Sequence, residues 1–218
     1  GAAMNRYALM LNKGDGIPMN KEEAARYFKM ATEKGYRNAI RNYGLILDKG
    51  DGVQMNKTDA ASYLKNAAEK GDSDAMHHYA SMLYEGKGIP MDKTEAARYY
   101  KMAADKGDTV AMNNYASMLY QGDGVTMNKT EAARYYKMAI NKGENGAMYN
   151  YAIMLDHGDG VPINKVEAAR LFKITADKGN PVAMNNYALM LYKGEGVPMD
   201  KTESERYLKM AVEKGNKN

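Results

Sequence analysis

Apolar, small and polar residues follow one another along this chain at helical spacing, and the whole pattern returns after 36 residues, six times, without insertion or deletion. In the repeat formed by residues 111–146, this spacing predicts a first helix over about 110–121 and a second over about 129–142. Small residues next to large ones suit close packing of two helices. Each repeat is therefore predicted to be a helix pair. The residues that carry the pattern are Ala111, Met112, Tyr115, Ala116 and Leu119 in the first helix, and Ala132, Ala133, Tyr136 and Ala139 in the second.

Glycines and polar caps mark the ends of the predicted helices. A Gly-x-Gly pair follows each first helix and a Lys-Gly pair closes each repeat, and these motifs take 18 of the 21 glycines. Glycine readily adopts the left-handed conformation that ends a helix. Asn128 precedes the second helix and Glu131 follows three residues later, which is the pattern of a capping box. These signals predict helices near 4–12, 21–34, 39–49 and 57–70, and then again every 36 residues.

A fixed period of this length is typical of a solenoid, in which each repeat buries its apolar face only against its neighbours. The sequence therefore predicts an all-α fold, a right-handed α-solenoid (superhelix) of six 36-residue helix-turn-helix repeats. We expect a single domain over residues 3–218, and residues 1–2 are interpreted as a cloning remnant. The predicted repeats are 3–38, 39–74, 75–110, 111–146, 147–182 and 183–218.

The repeat resembles the Sel-one-like repeat family, a relative of the tetratricopeptide repeats with a longer turn between its helices. The resemblance is carried by the period, by the Gly-x-Gly-Val-Pro connection and by the second-helix motif Glu-Ala-Ala-x-Tyr-Tyr-Lys-x-Ala-x-x-Lys-Gly. It covers the chain from about Ala3 to Asn218, although Tyr-Ala stands where the family has Leu-Gly and only Gly44 restores that glycine. The resemblance implies an adaptor or scaffold for protein complexes, and the cysteine-rich members of the family do not resemble this cysteine-free chain.

Composition narrows the class of protein only a little. The net charge of +4 and the pI near 8.9 are mildly basic, and the absence of cysteine excludes disulfides and thiolate metal sites. No apolar run approaches the length of a membrane span, and no charged-then-apolar leader opens the sequence, so neither a span nor a signal peptide is expected. The compartment stays open, with the cytoplasm slightly favoured.

The sequence shows no constellation that would carry chemistry. The Gly-x-Gly pairs lack the third glycine of a dinucleotide fingerprint and follow a helix rather than a strand. The only histidines are His77, His78 and His157, and the adjacent pair is expected to point in different directions from its helix, as surface polar residues. We therefore predict no catalytic residue, no metal and no cofactor, and we expect that the protein is not an enzyme.

A binding function is indicated by the positions that vary between repeats. The third, seventh and tenth positions, which begin at Asn5, Leu9 and Asn12 and recur every 36 residues, differ from repeat to repeat while the packing positions barely change. Spacings of four and three place them on one helix face. We call this face, with the flanking fourth position, the first-helix stripe; by the tetratricopeptide resemblance it lines a concave groove. The candidate partner-binding residues are Arg41, Asn42, His77, Tyr84, Asn113, Asn114, Tyr120, Tyr149, Asn150, Asn185, Asn186 and Tyr192.

Two interpretations of the stripe remain open. Tyrosines are favoured at binding hot spots, so Tyr120 and Tyr149 are predicted to be anchors that stay exposed without a partner. The row of asparagines could pair with the backbone of an extended peptide, or it could form hydrogen bonds between neighbouring repeats.

The predicted function is a protein- or peptide-binding adaptor that presents this groove. One alternative is an engineered, consensus-like scaffold without a natural ligand, which the strict period favours. Another is a single-stranded RNA-binding helical repeat protein, because pentatricopeptide arrays have a similar period and read one base per repeat. Lysines and arginines also recur on the second helix, where a basic ridge could track phosphates. Capping glutamates recur beside them, so a solvated mixed-charge face is preferred and nucleic acid is not favoured as a partner.

The last repeat departs from the others. Five repeats carry Ala-Ala early in the second helix, where the sixth has Ser204 and Glu205. Terminal repeats need a polar outer face, so both residues are predicted to be exposed and the solenoid to end here. We expect a monomer with end-to-end contacts at the open side of the first repeat.

Overall fold

The computed structural model describes residues 1–215, and over this range the chain forms twelve helices joined by turns. The all-α fold of six helix pairs, an α-solenoid, is confirmed, while the handedness of the superhelix stays a prediction. Residues 216–218 of the predicted sixth repeat lie outside the described range. The helices are α1 Ala2–Lys13, α2 Lys21–Glu33, α3 Arg37–Lys49, α4 Lys57–Glu69, α5 Ser73–Glu85, α6 Lys93–Asp105, α7 Thr109–Gln121, α8 Lys129–Asn141, α9 Asn145–His157, α10 Lys165–Asp177, α11 Pro181–Lys193 and α12 Lys201–Gly215.

The first helices begin about two residues earlier than the sequence predicted. In α5 the carboxylate of Asp72 accepts a hydrogen bond from the backbone N–H of Ala75 at 3.0 Å, which satisfies a free donor of the first turn. Asn180 caps α11 in the same way, with Pro181 as the first helical residue. In these two repeats, the Asp or Asn that follows the Lys-Gly pair is the sequence feature that marks the start of the first helix.

Only half of each predicted capping box forms. The side chain of Asn56 accepts from the backbone N–H of Asp59 at 3.0 Å, as a cap should. The backbone N–H of Asn56, however, donates to the carbonyl of Leu47 at 2.9 Å and so closes the turn between the two helices of the repeat. The acidic side chain cannot take that donor, and the Asp59 carboxylate accepts instead from the side-chain amide of Asn56 at 2.7 Å.

The interior of each repeat is built from small residues and tyrosine pairs. Ala60 and Ala61 of α4 are fully buried, which lets α3 and α4 approach closely. Tyr43 and Tyr63 meet edge to face with ring centroids 5.0 Å apart, a favourable geometry for two aromatic rings. The same pairing recurs in four other repeats at 4.9–5.0 Å, and only the fifth repeat, with Leu171, lacks it.

The helices group into two compact units, Gly1–Ala111 and Met112 onward. In the first unit the helices α1 to α6 pack on their neighbours in the chain, and in the second unit the helices α8 to α12 do the same. The first unit holds α1 to α6 and the start of α7, and the second holds the rest of α7 and α8 to α12. The description of the chain as one domain stays a prediction.

Candidate functional site

In the first compact unit, residues at the third position of the stripe contact the acids that cap the first helix of the next repeat. The Arg41 guanidinium contacts the Asp72 carboxylate at 3.2 Å and the Asp74 carboxylate at 2.6 Å. His77 occupies the same position one repeat later, and its Nδ1 lies 3.4 Å from the carboxylate of Asp108. Both stripe residues are half-buried. The third position of a repeat is thus tied to the start of the next repeat.

The two adjacent histidines do not point apart, so that prediction is wrong. The rings of His77 and His78 stack with centroids 4.5 Å apart and planes 16° from parallel. Burial, and then the neighbouring His77, lower the pKa of His78 to about 4, although Asp74 and Asp108 act in the opposite direction. Burial opposes ionisation of Asp108, yet hydrogen bonds from His77 and from the backbone N–H of Ala111 outweigh it and lower the pKa of that carboxyl.

The asparagines of the stripe make hydrogen bonds between neighbouring repeats. Asn42 donates to the side-chain oxygen of Asn5 at 3.0 Å, and Asn150 donates in the same way to Asn113 at 3.2 Å. Asn186 donates to the hydroxyl of Tyr149 at the limiting distance of 3.5 Å. The fourth position of one repeat therefore donates to the third position of the repeat before it. This is the second of the two interpretations that the sequence left open.

The stripe tyrosines take part in structural contacts, so the expectation that Tyr120 and Tyr149 stand exposed is wrong. The Tyr120 hydroxyl donates to the Asp159 carboxylate at 2.7 Å, and this bond, followed by burial, raises the pKa of Tyr120 to about 12. The Tyr149 ring lies 5.9 Å from that of Phe172. Both tyrosines are half-buried, since Tyr120 reaches the turn that follows α9 and Tyr149 reaches α10.

The remaining candidates differ in their exposure. Tyr84 lies beneath the Nζ of Lys93, 5.1 Å from the ring centre, and Asn114 is half-buried like its neighbour Asn113. Asn185 and Tyr192 in the last described repeat are exposed, and the Nζ of Lys201 stands 5.4 Å from the Tyr192 ring centre.

Lysine–carboxylate pairs join neighbouring repeats at one edge of the stripe, and sequence reasoning missed them. Lys21 pairs with Asp51 at 2.5 Å and Lys129 pairs with Asp159 at 2.7 Å. In both pairs, a lysine at the start of a second helix reaches the acid of the next repeat's Gly-x-Gly turn. The sequence signal for these pairs was that the lysine and the acid each recur with the 36-residue period. In the third repeat Lys87 replaces the acid.

Three open depressions lie along the stripe. The largest, of 530 Å³, lies in the first compact unit, and a second one there, of 140 Å³, lies between the first two repeats. The third, of 190 Å³, lies in the second compact unit between α7 and α9. The lining of the 530 Å³ depression includes Arg41, Asn42, Leu45, Asp74, His77 and His78. The lining of the 140 Å³ depression includes Leu9, Asn12 and Lys49. The lining of the 190 Å³ depression includes Ser117, Tyr120, Tyr136, Asn150 and Ile153.

Arginines of the second helices pair with the capping glutamates of the same helices. Arg98 meets Glu95 in two hydrogen bonds of 2.5 and 2.8 Å, and its guanidinium also lies 4.4 Å from the ring centre of Tyr99. Arg134 repeats both contacts, with Glu131 and Tyr135. The capping glutamates therefore neutralise these arginines, which agrees with the mixed-charge interpretation of this face.

The two predictions for the last repeat, that Ser204 and Glu205 are both exposed, have opposite outcomes. Glu205 is exposed as predicted and pairs with Lys209 at 2.7 Å. Ser204 is buried, so its predicted exposure is wrong, and its hydroxyl donates to the carbonyl of Ala188 at 2.7 Å. The position of Ser204 faces α11 of the same repeat, where a small residue is needed whether or not another repeat follows.

Among residues 1–215, the structure places no three histidine or acidic side chains where they could hold a metal ion together. No helix in that part of the chain has the length and apolarity required to cross a membrane.

Fold and stripe together define a helical repeat protein of the α-solenoid class. The chain belongs to the Sel1 repeat family, whose model matches it at residues 1–36, 37–72, 73–108, 109–144, 146–180 and 181–216. This confirms the resemblance seen in the sequence and sets the repeat boundaries about two residues earlier, where the first helices begin. Proteins of this family are commonly scaffolds for protein–protein interaction and are generally not enzymes.

Two solved structures are similar over nearly the whole chain. A protective antigen present in uropathogenic Escherichia coli strains has 28% identity over 99% of this chain, with a TM-score of 0.91. This chain spans 46% of that protein's length. A Sel1 repeat protein from Oxalobacter formigenes has 29% identity over 96% of this chain and 84% of its own, with a TM-score of 0.85. No protein in a curated sequence set matches this chain.

Proposed function

We propose that this chain is a binding scaffold that holds a protein or peptide partner against the first-helix stripe. The observation that carries the proposal is that the positions that vary between repeats line the open depressions, while the buried positions keep the same residue types. Packing alone does not require variation on one face. The family supports a partner that is a protein.

The depression between α7 and α9 has the size and chemistry for one side chain of a partner. Its volume of 190 Å³ is below the range of about 300–1,000 Å³ that is typical of small-molecule sites. Ile153 and the rings of Tyr120 and Tyr136 give it an apolar lining, and Ser117 and Asn150 add polar groups. An aliphatic side chain of an extended peptide fits this combination.

The larger depression in the first compact unit suits a more polar segment. Arg41 and Asp74 pair with each other there, next to His77 and His78. The Asp74 side chain is 57% exposed, so a positively charged group of a partner can share this carboxylate with the half-buried Arg41.

The asparagine bonds leave room for a partner as well. An amide side chain has two N–H donors and an oxygen acceptor, and Asn150 uses one donor on Asn113. Its remaining groups can pair with a peptide backbone. The two interpretations of the asparagine row are therefore compatible at this position.

The experiment is a peptide selection followed by a paired comparison of variants. A random peptide library is displayed on phage and selected against the full chain, and the affinity of selected peptides is measured by calorimetry. Ser117→Arg would fill the α7–α9 depression, whereas Thr130→Arg adds the same charge at an exposed site on α8. We expect Ser117→Arg to weaken binding by about tenfold or more, the scale of one hot-spot contact, and Thr130→Arg to leave it unchanged. Equal effects of the two variants, or no selected peptide, would contradict the proposal.

A further inference from the structure

One position of the second helix distinguishes the second repeat from the other five. Those five carry an arginine there, which is followed by a tyrosine in four of them and by Leu171 in the fifth repeat. The second repeat has Ser62 in place of the arginine, followed by Tyr63. It therefore keeps the tyrosine without the arginine beside it. The arginines are Arg26, Arg98, Arg134, Arg170 and Arg206.

In the third repeat, this arginine makes three contacts on the surface of its helix. The Arg98 guanidinium meets the Glu95 carboxylate at 2.5 Å and lies 4.4 Å from the centre of the Tyr99 ring. It also donates to the sulfur of Met102 at 3.3 Å. The fourth and sixth repeats have the same three contacts. A planar guanidinium on the face of a tyrosine ring is a favourable cation–π contact.

In the second repeat, the groups that surround this arginine elsewhere are more accessible. Asp59 and Asn66 stand where the third repeat has Glu95 and Met102. Tyr63 is half-buried, whereas the tyrosines that lie against an arginine in the third, fourth and sixth repeats are at most 2% exposed. The shorter side chain of the preceding serine thus leaves part of the Tyr63 ring open.

A cavity of 270 Å³ lies against this ring, between α2, α3 and α4. We call it the Tyr63 cavity, and it is lined by Thr32, Glu33, Ile40, Ser62, Tyr63 and Asn66. None of these lining residues belongs to the first-helix stripe. The volume is just below the range of about 300–1,000 Å³ that is typical of small-molecule sites, so the cavity suits one long side chain of a partner.

The charges near the ring favour a cation. Burial, and then Tyr43, raise the pKa of the Tyr63 hydroxyl. The carboxylates of Asp59 and Glu33 raise this pKa further, so both act on a group at the ring. Lys29 acts in the opposite direction, and its side chain is exposed. Two carboxylates and one ammonium leave these three groups with a net negative charge.

From these observations we propose that the Tyr63 cavity binds an arginine side chain of a partner protein. The guanidinium lies on the Tyr63 ring and pairs with the Asp59 carboxylate, as the arginines of other repeats do with their own tyrosine and glutamate. Its aliphatic stem packs against Ile40 on the cavity wall. This site is separate from the first-helix stripe and does not depend on the function proposed for the stripe.

The experiment is a titration of the isotope-labelled full chain with the blocked tripeptide acetyl-Gly-Arg-Gly-amide, followed by NMR. We expect saturable shifts of the amide signals of residues 33–40 and 59–66. The same peptide with citrulline has the shape of arginine without its charge, and it should bind about fivefold more weakly or not at all. The peptide with lysine should also bind more weakly, because an ammonium cannot stack on the ring as a planar group. No saturable shift at these residues, or equal binding of either other peptide, would overturn the proposal.

Two pairs of variants test whether the peptide occupies the cavity. Ser62→Arg gives the second repeat an arginine of its own and should abolish binding, whereas Thr130→Arg adds the same charge at an exposed site on α8 and should leave binding unchanged. Tyr63→Leu introduces the residue type that the fifth repeat has here and should weaken binding by about fivefold. Its control is Tyr135→Leu, which changes a ring that already has Arg134 at 4.4 Å from its centre.

Equal effects of the two variants within either pair would show that the arginine does not bind in the Tyr63 cavity. Because Ser62 is exposed, the first pair tests the proposal independently of any loss of stability in Tyr63→Leu.

Discussion

Replacing Gly52 by alanine should weaken the junction between the first two repeats much more than the same change at Gly16. Each glycine is the second of its Gly-x-Gly pair, and their φ angles are nearly equal, at 78° and 72°. A Cβ at Gly52 would stand 2.3 Å from the carbonyl carbon and oxygen of Lys21 and 2.7 Å from the backbone nitrogen of Glu22. A Cβ at Gly16 would have no atom of the described residues within 4 Å, apart from its own residue and its two chain neighbours. The two variants therefore share the backbone cost and differ in the contact.

The size of the difference follows from these two terms. A non-glycine residue in the left-handed region costs about 1–2 kcal/mol. Overpacking adds about 1–3 kcal/mol, and here the obstacle is backbone, which cannot rotate away as a side chain can. We expect Gly16→Ala to lower the free energy of unfolding by about 1–2 kcal/mol, and Gly52→Ala by about 2–5 kcal/mol. Relief of the clash would also move Asp51 away from Lys21, its partner at 2.5 Å.

Urea unfolding followed by circular dichroism measures the loss, and hydrogen exchange by mass spectrometry locates it. Repeats are stabilised by their neighbours, so a damaged junction should let the amides of residues 1–36 exchange faster in Gly52→Ala than in Gly16→Ala. Equal losses of stability in the two variants, or unchanged exchange of the first repeat in Gly52→Ala, would refute the reasoning.

Three further predictions concern single side chains. Lys87→Asp should restore the inter-repeat pair with Lys57 and raise the urea midpoint slightly, and a gain that persists in high salt would contradict an ionic cause. His78 has a pKa lowered from 6.5 to about 4, so its contribution to stability is complete above pH 6.5 and is lost as the pH falls towards 4. In urea unfolding at several pH values, His78→Asn should reduce the change in the free energy of unfolding between pH 6.5 and pH 4 by about 2 kcal/mol, after allowance for partial exposure. An unchanged pH dependence would show that other groups cause it. Ser204→Ala should change the free energy of unfolding by less than about 1 kcal/mol, because one hydroxyl bond to the Ala188 carbonyl is lost and alanine fits this position in the other repeats; a larger loss in thermal or urea unfolding would contradict this account.

Some of the candidate site could be predicted from the sequence, but its contacts could not. The spacing of four and three in the first helix placed Asn113 and Tyr120 on one face, since residues three and four apart are helical neighbours. Nothing in that spacing shows that Asn113 accepts from Asn150 or that Tyr120 donates to Asp159. These partners are 37 and 39 residues away, so the contacts depend on how successive repeats stack.

The local structure of each repeat could be predicted from residues that are close together in the chain. Gly50 ends α3 with a φ of 69°, and Asn56 caps α4, because a helix end is set by residues within a few positions of it. The fixed period then required neighbouring repeats to bury each other's apolar faces, which gave the α-solenoid class.

Which polar groups form hydrogen bonds with each other depends on how the helices pack in three dimensions. The backbone N–H of Asn56 goes to Leu47 rather than to the acid of a capping box, because the turn between the helices must close. Ser204 is buried and Glu205 is exposed although they are adjacent, since Ser204 faces α11 of its own repeat and Glu205 faces solvent. A linear pattern gives the period and the helix faces, but the pairing of side chains across repeats depends on the distance and angle at which the helices pack.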